Sequence, residues 1–443
     1  MRARLTLAFV LALLVASCGE DEGFFSTLTT SGTAGPATTE AGGPSSTPAE
    51  GWASTTTFPV AGTTTTTAAP VREWAWTRLA ADGSFFGGED DQATLSVAAH
   101  GAVLVTVGSE WMGEEFDAAV WTSSDGLAWS RVPHDESVFG GPDYQRMFGV
   151  TAGGPGLVAV GIDGAGGDWD AAVWTSVDGL TWSRVPHDES ALGGPGRQGM
   201  SEVVAGGPGL VAVGWEEGDD EDVAVWTSTD GLTWSRVPHD EVVFGGAEDQ
   251  YADGLAVGGP GLVVAGSDYS AGDGEAAVWV SADGAVWSRL AGQPAFGGPG
   301  DHWMAAVTFT GAGLVAVGAE CAVDECDGAV WTSPDGFTWS RVAHDEAVFG
   351  GEADQVISGV TSAGGGLVAV GRDESGGDLD GAVWTSVDGL IWSRVAHDEA
   401  VLGGPFDQRM WEVVAGGPGL VAIGEYDTGG DRDGAMWVAV PAG

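Results

Sequence analysis

Ala-Val-Trp-Thr-Ser-Val-Asp-Gly-Leu-Thr-Trp-Ser-Arg, residues 172–184, is the stretch of this sequence that decides its fold. It returns with small changes every 52 to 53 residues, so that its first tryptophan recurs at Trp121, Trp174, Trp226, Trp279, Trp331, Trp384 and Trp437. Repeats of this length are typical of solenoids and propellers. Gly-Pro-Gly and Asp-Gly turns separate short apolar segments in each copy, which predicts four strands and one propeller blade per repeat.

The two ends of the repeat region distinguish a closed ring from an open array. The last copy has no second Trp-Ser-Arg before Gly443, but residues 74–79 match that segment, and Trp76 lies 53 residues before Trp129. The N-terminal strand should therefore complete the last blade, whereas an open array would expose unpaired sheet edges. The sequence predicts an all-β, seven-bladed β-propeller of four-stranded blades over residues 72–443.

The acidic composition of the chain excludes some classes of binding partner. The 443 residues include 15 Arg plus Lys and 64 Asp plus Glu, for a net charge of −49. Such a chain repels phosphate backbones, which excludes ordinary nucleic-acid binding. It also repels anionic lipid, so a membrane attachment would have to be covalent or hydrophobic.

The N-terminal segment has the features of an export signal. Arg2 and Arg4 precede an apolar run over residues 5–16, which is too short for a permanent membrane span. The run ends in Val-Ala-Ser-Cys at residues 15–18, which resembles the lipobox of bacterial lipoproteins. The resemblance implies a signal peptide over residues 1–17, a lipid on Cys18, and an extracytoplasmic protein anchored to the bacterial cell membrane. A plain secreted protein is the alternative.

Residues 18–71 are rich in Ser, Thr, Pro and Gly, which predicts a disordered stalk. Apart from Cys18, the cysteines are Cys321 and Cys326, and in an oxidising compartment we expect them to form a disulfide. A zinc site at these cysteines would need two further ligands.

The turn Ser-x-Asp-Gly-x-x-Trp between the two tryptophans resembles the Asp-box, or BNR repeat, of sialidase-like and sortilin-like propellers, with one residue fewer before the glycine. The resemblance covers residues 72–443. It implies that the aspartate has a structural role and accepts hydrogen bonds from the backbone amides of the turn, and that the tryptophan packs between sheets. The candidate Asp-box residues are Asp125, Asp178, Asp230, Asp283, Asp335 and Asp388.

Candidate ligand-binding residues lie in the connections between blades. Four residues after a Gly-Gly pair, each repeat has a polar side chain expected at the mouth of the central channel: Gln92, Gln145, Gln198, Gln250, His302, Gln355 and Gln408. We favour hydrogen bonds from these side chains to the neighbouring blade. A polar mouth for a small ligand or ion is the alternative. Arg146, Arg197 and Arg409 stand beside them. Tyr144 and Tyr251 share these connections, whereas Tyr269 and Tyr426 are expected in loops between second and third strands.

Other motifs favour structural roles. His-Asp-Glu begins at His134, His187, His239, His344 and His397, and five copies spread over separate blades indicate a structural turn rather than a shared site. The arginine of each Trp-Ser-Arg should pair with a nearby carboxylate. The acidic loops, such as residues 373–380, could offer oxygens to calcium but lack the spacing of a calcium loop, so no metal or cofactor is predicted.

The function hypothesis that follows is a monomeric, non-catalytic binding module for a protein or a glycan with cationic or polar groups. A sialidase-like or other glycoside hydrolase is the first alternative, since sialidases use several arginines with a Tyr/Glu pair and an Asp. The Phe-Arg-Ile-Pro motif of that family is absent, however. An envelope assembly factor is the second alternative.

Overall fold

The computed structural model describes residues 72–79 and 91–442, apart from residue 114 and residues 323–324 and 428–431. The predicted signal peptide, Cys18 and the predicted stalk lie outside this part of the chain. Within it, the strands form seven four-stranded antiparallel sheets, which confirms the predicted all-β, seven-bladed propeller. No helix among these residues has the length and apolar character needed to cross a membrane.

The first three blades follow the same pattern, with the innermost strand first. Blade 1 contains β2 (Gln92–His100), β3 (Val103–Trp111), β4 (Phe116–Ser123) and β5 (Ser130–Arg131). Blade 2 contains β6 (Gln145–Gly153), β7 (Gly156–Asp163), β8 (Asp170–Ser176) and β9 (Trp182–Arg184). Blade 3 contains β10 (Gln198–Gly206), β11 (Gly209–Glu217), β12 (Glu221–Ser228) and β13 (Trp234–Arg236).

The next three blades repeat it. Blade 4 contains β14 (Gln250–Gly258), β15 (Gly261–Asp268), β16 (Glu275–Ser281) and β17 (Trp287–Arg289). Blade 5 contains β18 (Asp301–Phe309), β19 (Leu314–Ala322), β20 (Glu325–Ser333) and β21 (Ser340–Arg341), followed by the one-turn helix α1 (Glu346–Phe349). Blade 6 contains β22 (Gln355–Ala363), β23 (Gly366–Asp373), β24 (Asp380–Ser386) and β25 (Trp392–Arg394).

Blade 7 joins the two ends of the chain. Its strands β26 (Asp407–Gly416), β27 (Gly419–Asp427) and β28 (Arg432–Pro441) are completed by the N-terminal strand β1 (Trp74–Arg78). β1 pairs with β28 from Trp74 opposite Pro441 to Arg78 opposite Trp437. The predicted closure by strand exchange is therefore confirmed, and β26 contacts β2 to complete the ring.

The core lies between neighbouring blades rather than within one sheet. Trp174 is fully buried with Val105 and Val120 of blade 1, and its Nε1 donates to Val138 O in the connection that enters blade 2. The equivalent tryptophans of the other blades are also fully buried. Burial of each of these side chains stabilises the fold by on the order of 3 kcal/mol. The repeated tryptophan is thus the residue that holds one blade against the next.

A β-bulge in each innermost strand explains the glycine that ends the Leu-Val-Ala-Val-Gly segment. In blade 2 the register of β6 shifts between Met147 and Gly149, next to Gly161 in β7. A Cβ on Gly161 would lie 1.8 Å from Arg146 O, so only glycine fits. All seven innermost strands have a register shift at this level.

Candidate functional site

The ring has two faces with different contents. The first and the third strand of each blade begin at one face of the ring, which we call the top face. It bears the connections between blades and the loops between the second and third strands. The opposite, bottom face bears the tight turns. The strand order places all the candidate ligand-binding residues on the top face and all the Ser-x-Asp-Gly turns on the bottom face.

The bottom-face turn has the same hydrogen bonds in six blades. In blade 2, Asp178 Oδ1 accepts from the backbone N–H groups of Leu180 (2.9 Å) and Thr181 (2.8 Å), and Trp182 Nε1 donates to Gly179 O (2.9 Å). The backbone N–H groups of Thr181 and Leu180 lower the pKa of Asp178. Gly179 has a φ of +77°, which favours glycine. The aspartate and the tryptophan therefore stabilise the turn.

The predicted channel-mouth amides are buried. Gln145, Gln250, Gln355 and Gln408 have no exposed surface, and Gln198 and His302 are at most 2% exposed. Gln145 Nε2 donates to Pro142 O (3.0 Å) and to Asp163 Oδ1 (3.0 Å), both in its own blade or the connection that enters it. We expected these amides to bond to the neighbouring blade, but the hydrogen bonds of Gln145, Gln198, Gln250, Gln355 and Gln408 stay within one blade and the connection that enters it. In blades 2, 4 and 6 the aspartate at the end of the second strand accepts from the amide. In blades 3 and 7 a backbone carbonyl just before the glutamine accepts instead.

The Trp-Ser-Arg arginines pair with carboxylates at the ends of second strands, as predicted. The pairs are Arg131–Glu110, Arg184–Asp163, Arg236–Glu216, Arg289–Asp268, Arg341–Glu320 and Arg394–Asp373. In blade 7 a tyrosine takes the carboxylate position, and Arg78 lies 5.7 Å from the ring of Tyr426. Each blade therefore ties its outer strand to its second strand at the top face.

The three candidate arginines lie in separate clusters. Arg146 is 5% exposed and stacks 4.2 Å from the ring of Phe116. Arg197 is half-exposed, pairs with Glu217 (3.1 Å) and lies 4.9 Å from the ring of Trp169. These contacts make Arg197 with Trp169 an accessible pair on blades 2 and 3.

Arg409 belongs to a group that sequence reasoning missed in part. Arg409 lies 3.8 Å from Asp407, and its charge opposes the rise that burial causes in the pKa of Glu425. Arg372 is buried nearby at the end of β23, 3.6 Å from Glu374. Burial lowers the pKa of Arg372, and the charge of Arg409 adds to that effect. No repeated motif marks Arg372, because other blades have different residues at this position.

Tyr251 lies in an acidic and aromatic cluster of blades 3 and 4. Its hydroxyl donates to Asp249 Oδ2 (3.1 Å), and its ring meets that of Tyr269 edge-on at 6.1 Å. Burial raises the pKa of Glu221 to about 8, and the charge of Asp249 contributes. Burial and these carboxylates raise the pKa of Tyr251, so its phenol stays protonated at neutral pH.

Carboxylates also lie at the bulges of the innermost strands. Glu202 in β10 and Glu412 in β26 directly follow the bulged residue, and Glu412 Oε2 accepts from Val97 N in blade 1 (2.9 Å). Burial raises the pKa of both side chains, and the charge of Glu412 raises that of Glu202 further. Blades 3 and 7 are not neighbours, so the two groups interact across the channel.

Each His-Asp-Glu motif is joined by an aspartate that begins the third strand of the same blade. We call these groups the rim triads: Asp117–His134–Glu136, Asp170–His187–Glu189, Asp222–His239–Glu241, Asp327–His344–Glu346 and Asp380–His397–Glu399. In each triad, one ligand atom from every residue lies within 4.8 Å of the other two. Burial raises the pKa of Asp117, Asp222 and Asp380 to about 6, although the histidine charge opposes it.

The two described cysteines form a disulfide between β19 and β20 at the top face, as expected from the sequence.

Comparisons with known proteins add the following. No protein-family model matches the chain, and no curated protein matches it. Solved structures that resemble it include Trypanosoma rangeli sialidase in complex with sialic acid, at 13% identity over 82% of this chain and 58% of that one, with a TM-score of 0.45. Another is Chaetomium thermophilum Sqt1 bound to the N-terminus of the ribosomal protein L10, at 12% identity over 81% of this chain and 98% of that one, with a TM-score of 0.44.

The chain thus spans less than two thirds of the sialidase. The seven-bladed architecture rests on this chain's own strand pairing.

Proposed function

We infer that the protein is a binding module whose top face engages a protein or glycan partner, presented outside the cytoplasm by a lipid on Cys18. One observation carries the binding role. Six of the arginines described in the ring lie outside the Trp-Ser-Arg position. Arg72 precedes β1, and the other five lie on the top face: Arg146, Arg197, Arg372, Arg409 and Arg432. All four tyrosines lie there as well, with Trp111 and Trp169, whereas Arg146, Arg372 and the nearby Trp215 and Trp303 are buried.

These residue types support an interaction surface. Arg, Tyr and Trp are the residues most enriched among those that dominate protein–protein binding energy. Aromatic rings beside charged groups also suit the apolar faces and hydroxyls of a sugar. Apart from Tyr426, which faces Arg78 in blade 7, these residues lie outside the repeated tryptophans and the arginine–carboxylate pairs that the other six blades share.

The attachment point is compatible with presentation of the top face. Trp74 pairs with Pro441 at the bottom end of blade 7, so the chain enters the ring at the bottom face. An anchor on the preceding segment would leave the top face accessible to a partner.

The test compares the full chain with two double variants on a glycan array and in crosslinking to envelope proteins. Arg197→Ala with Trp169→Ala removes the accessible top-face pair. Val177→Ala with Leu180→Ala removes exposed apolar side chains of the bottom face and is the matched control. We expect binding to fall at least tenfold in the first variant only. Equal binding by all three proteins would contradict a top-face site.

A glycoside hydrolase is the second candidate, favoured by the hydrogen bond between Tyr251 and Asp249 beside the buried Glu221. The raised pKa of Tyr251 opposes its use as a nucleophile, which is why binding is preferred. Turnover of fluorogenic glycosides that Tyr251→Phe abolishes would reverse this preference.

A further inference from the structure

The rim triads have the donor set and spacing of a metal site. His134 Nε2 lies 3.2 Å from Glu136 Oε2 and 3.5 Å from Asp117 Oδ2. Across the five triads, the corresponding distances are 3.2 to 3.3 Å and 3.5 to 3.8 Å. Three ligands about 2.1 Å from one zinc ion at tetrahedral angles lie about 3.4 Å apart.

The second oxygen of the buried aspartates provides a further observation. Asp117 and Asp380 are 3% and 7% exposed, and Oδ2 of each faces the histidine, yet Oδ1 of the same carboxylate accepts no hydrogen bond among the described residues. Asp222 and Asp327 also have an Oδ1 atom without a partner. A buried carboxylate oxygen without a partner is costly, and a bound cation is one way to satisfy it.

The chain leaves room beside each triad. The first glycine of the Gly-Gly pair stands against the carboxylates: a Cβ on Gly403 would lie 2.9 Å from Asp380 Oδ1, 2.9 Å from Glu399 Oε2 and 3.0 Å from His397 Cε1. The equivalent glycines in the other four triads have the same neighbours on two sides. None of these five glycines has a left-handed φ, so space rather than backbone conformation requires glycine here.

In blade 3 the imidazole is oriented for metal binding. His239 Nδ1 lies 2.9 Å from Glu216 Oε1, so Nδ1–H can donate to that carboxylate. The lone pair of Nε2 then faces Asp222 and Glu241. A carboxylate behind a ligating histidine is the usual outer partner in metal sites.

We propose that each rim triad binds one divalent transition-metal ion, with zinc as the representative, so that the top face carries up to five equivalent sites at its outer edge. An imidazole nitrogen among the ligands favours zinc, copper or nickel over calcium and magnesium, which prefer oxygen alone. A bound ion would link the connection between blades to the third strand and neutralise part of the acidic rim. An imidazolium bridging two carboxylates is the competing account.

The experiment measures zinc bound to the purified, chelator-treated full chain by equilibrium dialysis and elemental analysis, in 1 mM calcium and magnesium to suppress diffuse binding. We expect up to five equivalents. His239→Asn and His397→Asn should each remove one, and the variant with all five histidines replaced should bind none. Blade 4 supplies the matched control, because it has Glu275 but Gln293 in place of the motif; Gln293→Asn should change nothing.

Cobalt provides a second readout, since its visible absorption reports nitrogen and oxygen ligation directly. If the five-histidine variant does not fold, the two single variants decide the question. The proposal is overturned if zinc does not bind, if binding persists without the histidines, or if calcium and magnesium displace it completely.

Discussion

The bottom and top faces of the ring differ in how strictly they follow the repeat. On the bottom face, six turns place the aspartate oxygen 2.8 to 3.0 Å from the same two backbone N–H groups. On the top face the blades differ at equivalent strand ends and loops: blade 2 has Arg146 and Trp169, blade 4 has Tyr251, and blade 6 has Arg372. Residues that every blade shares build the frame, and residues that break the repeat are the candidates for recognition.

Two tryptophans of blade 2 should show this difference most strongly. Trp174→Ala creates a cavity between blades and removes the donor to Val138 O, so we expect the free energy of unfolding to fall by about 3 to 5 kcal/mol. Trp169→Ala on the top face should cost about 1 kcal/mol or less. Urea denaturation measures both values, and similar losses would contradict the division between frame and face.

The channel carboxylates should make stability depend on pH. Glu202 and Glu412 have raised pKa values when folded, so above pH 4.5 the folded state binds more protons than the unfolded state and stability falls as pH rises. Glu202→Gln with Glu412→Gln should therefore stabilise the protein by on the order of 2 kcal/mol at pH 8 and have little effect at pH 4.

Thermal unfolding at the two pH values measures the change. The exposed Glu352→Gln is the control and should change stability equally at the two pH values. A double variant that is destabilised at pH 8 would argue that the two charged carboxylates have a favourable partner in the channel.

A single bottom-face turn should have a smaller effect. Asp388 Oδ1 accepts from Leu390 N (2.8 Å) and Ile391 N (2.9 Å). By analogy with a helix cap, Asp388→Ala should cost about 1 kcal/mol, while Asp378→Ala in the top loop of the same blade should stay within about 0.5 kcal/mol. Equilibrium unfolding distinguishes them, and equal costs would mean that the turn amides find another acceptor.

The sequence predicts the frame well because the frame is periodic. The repeated spacing of Trp174 and Trp182 is sufficient to predict the number of blades. The match at Trp76 is sufficient to predict that the N-terminal strand closes the ring. The rim triads were not predicted, since the strand, turn and strand between Asp117 and His134 hide their proximity. Glu202 and Glu412 were missed for another reason: the bulge breaks the alternation of side chains that sequence reasoning uses.

The pairing of β1 with β28 has a consequence for the load that the ring can sustain. β1 begins at the bottom face and runs toward the top, and its five paired positions have hydrogen bonds perpendicular to the strand. If the top face holds a partner while the chain before Arg72 is pulled away, the force acts along β1. The whole ladder is then sheared at once rather than opened pair by pair. The closure strand is thus placed to transmit tension between a tether and a bound partner.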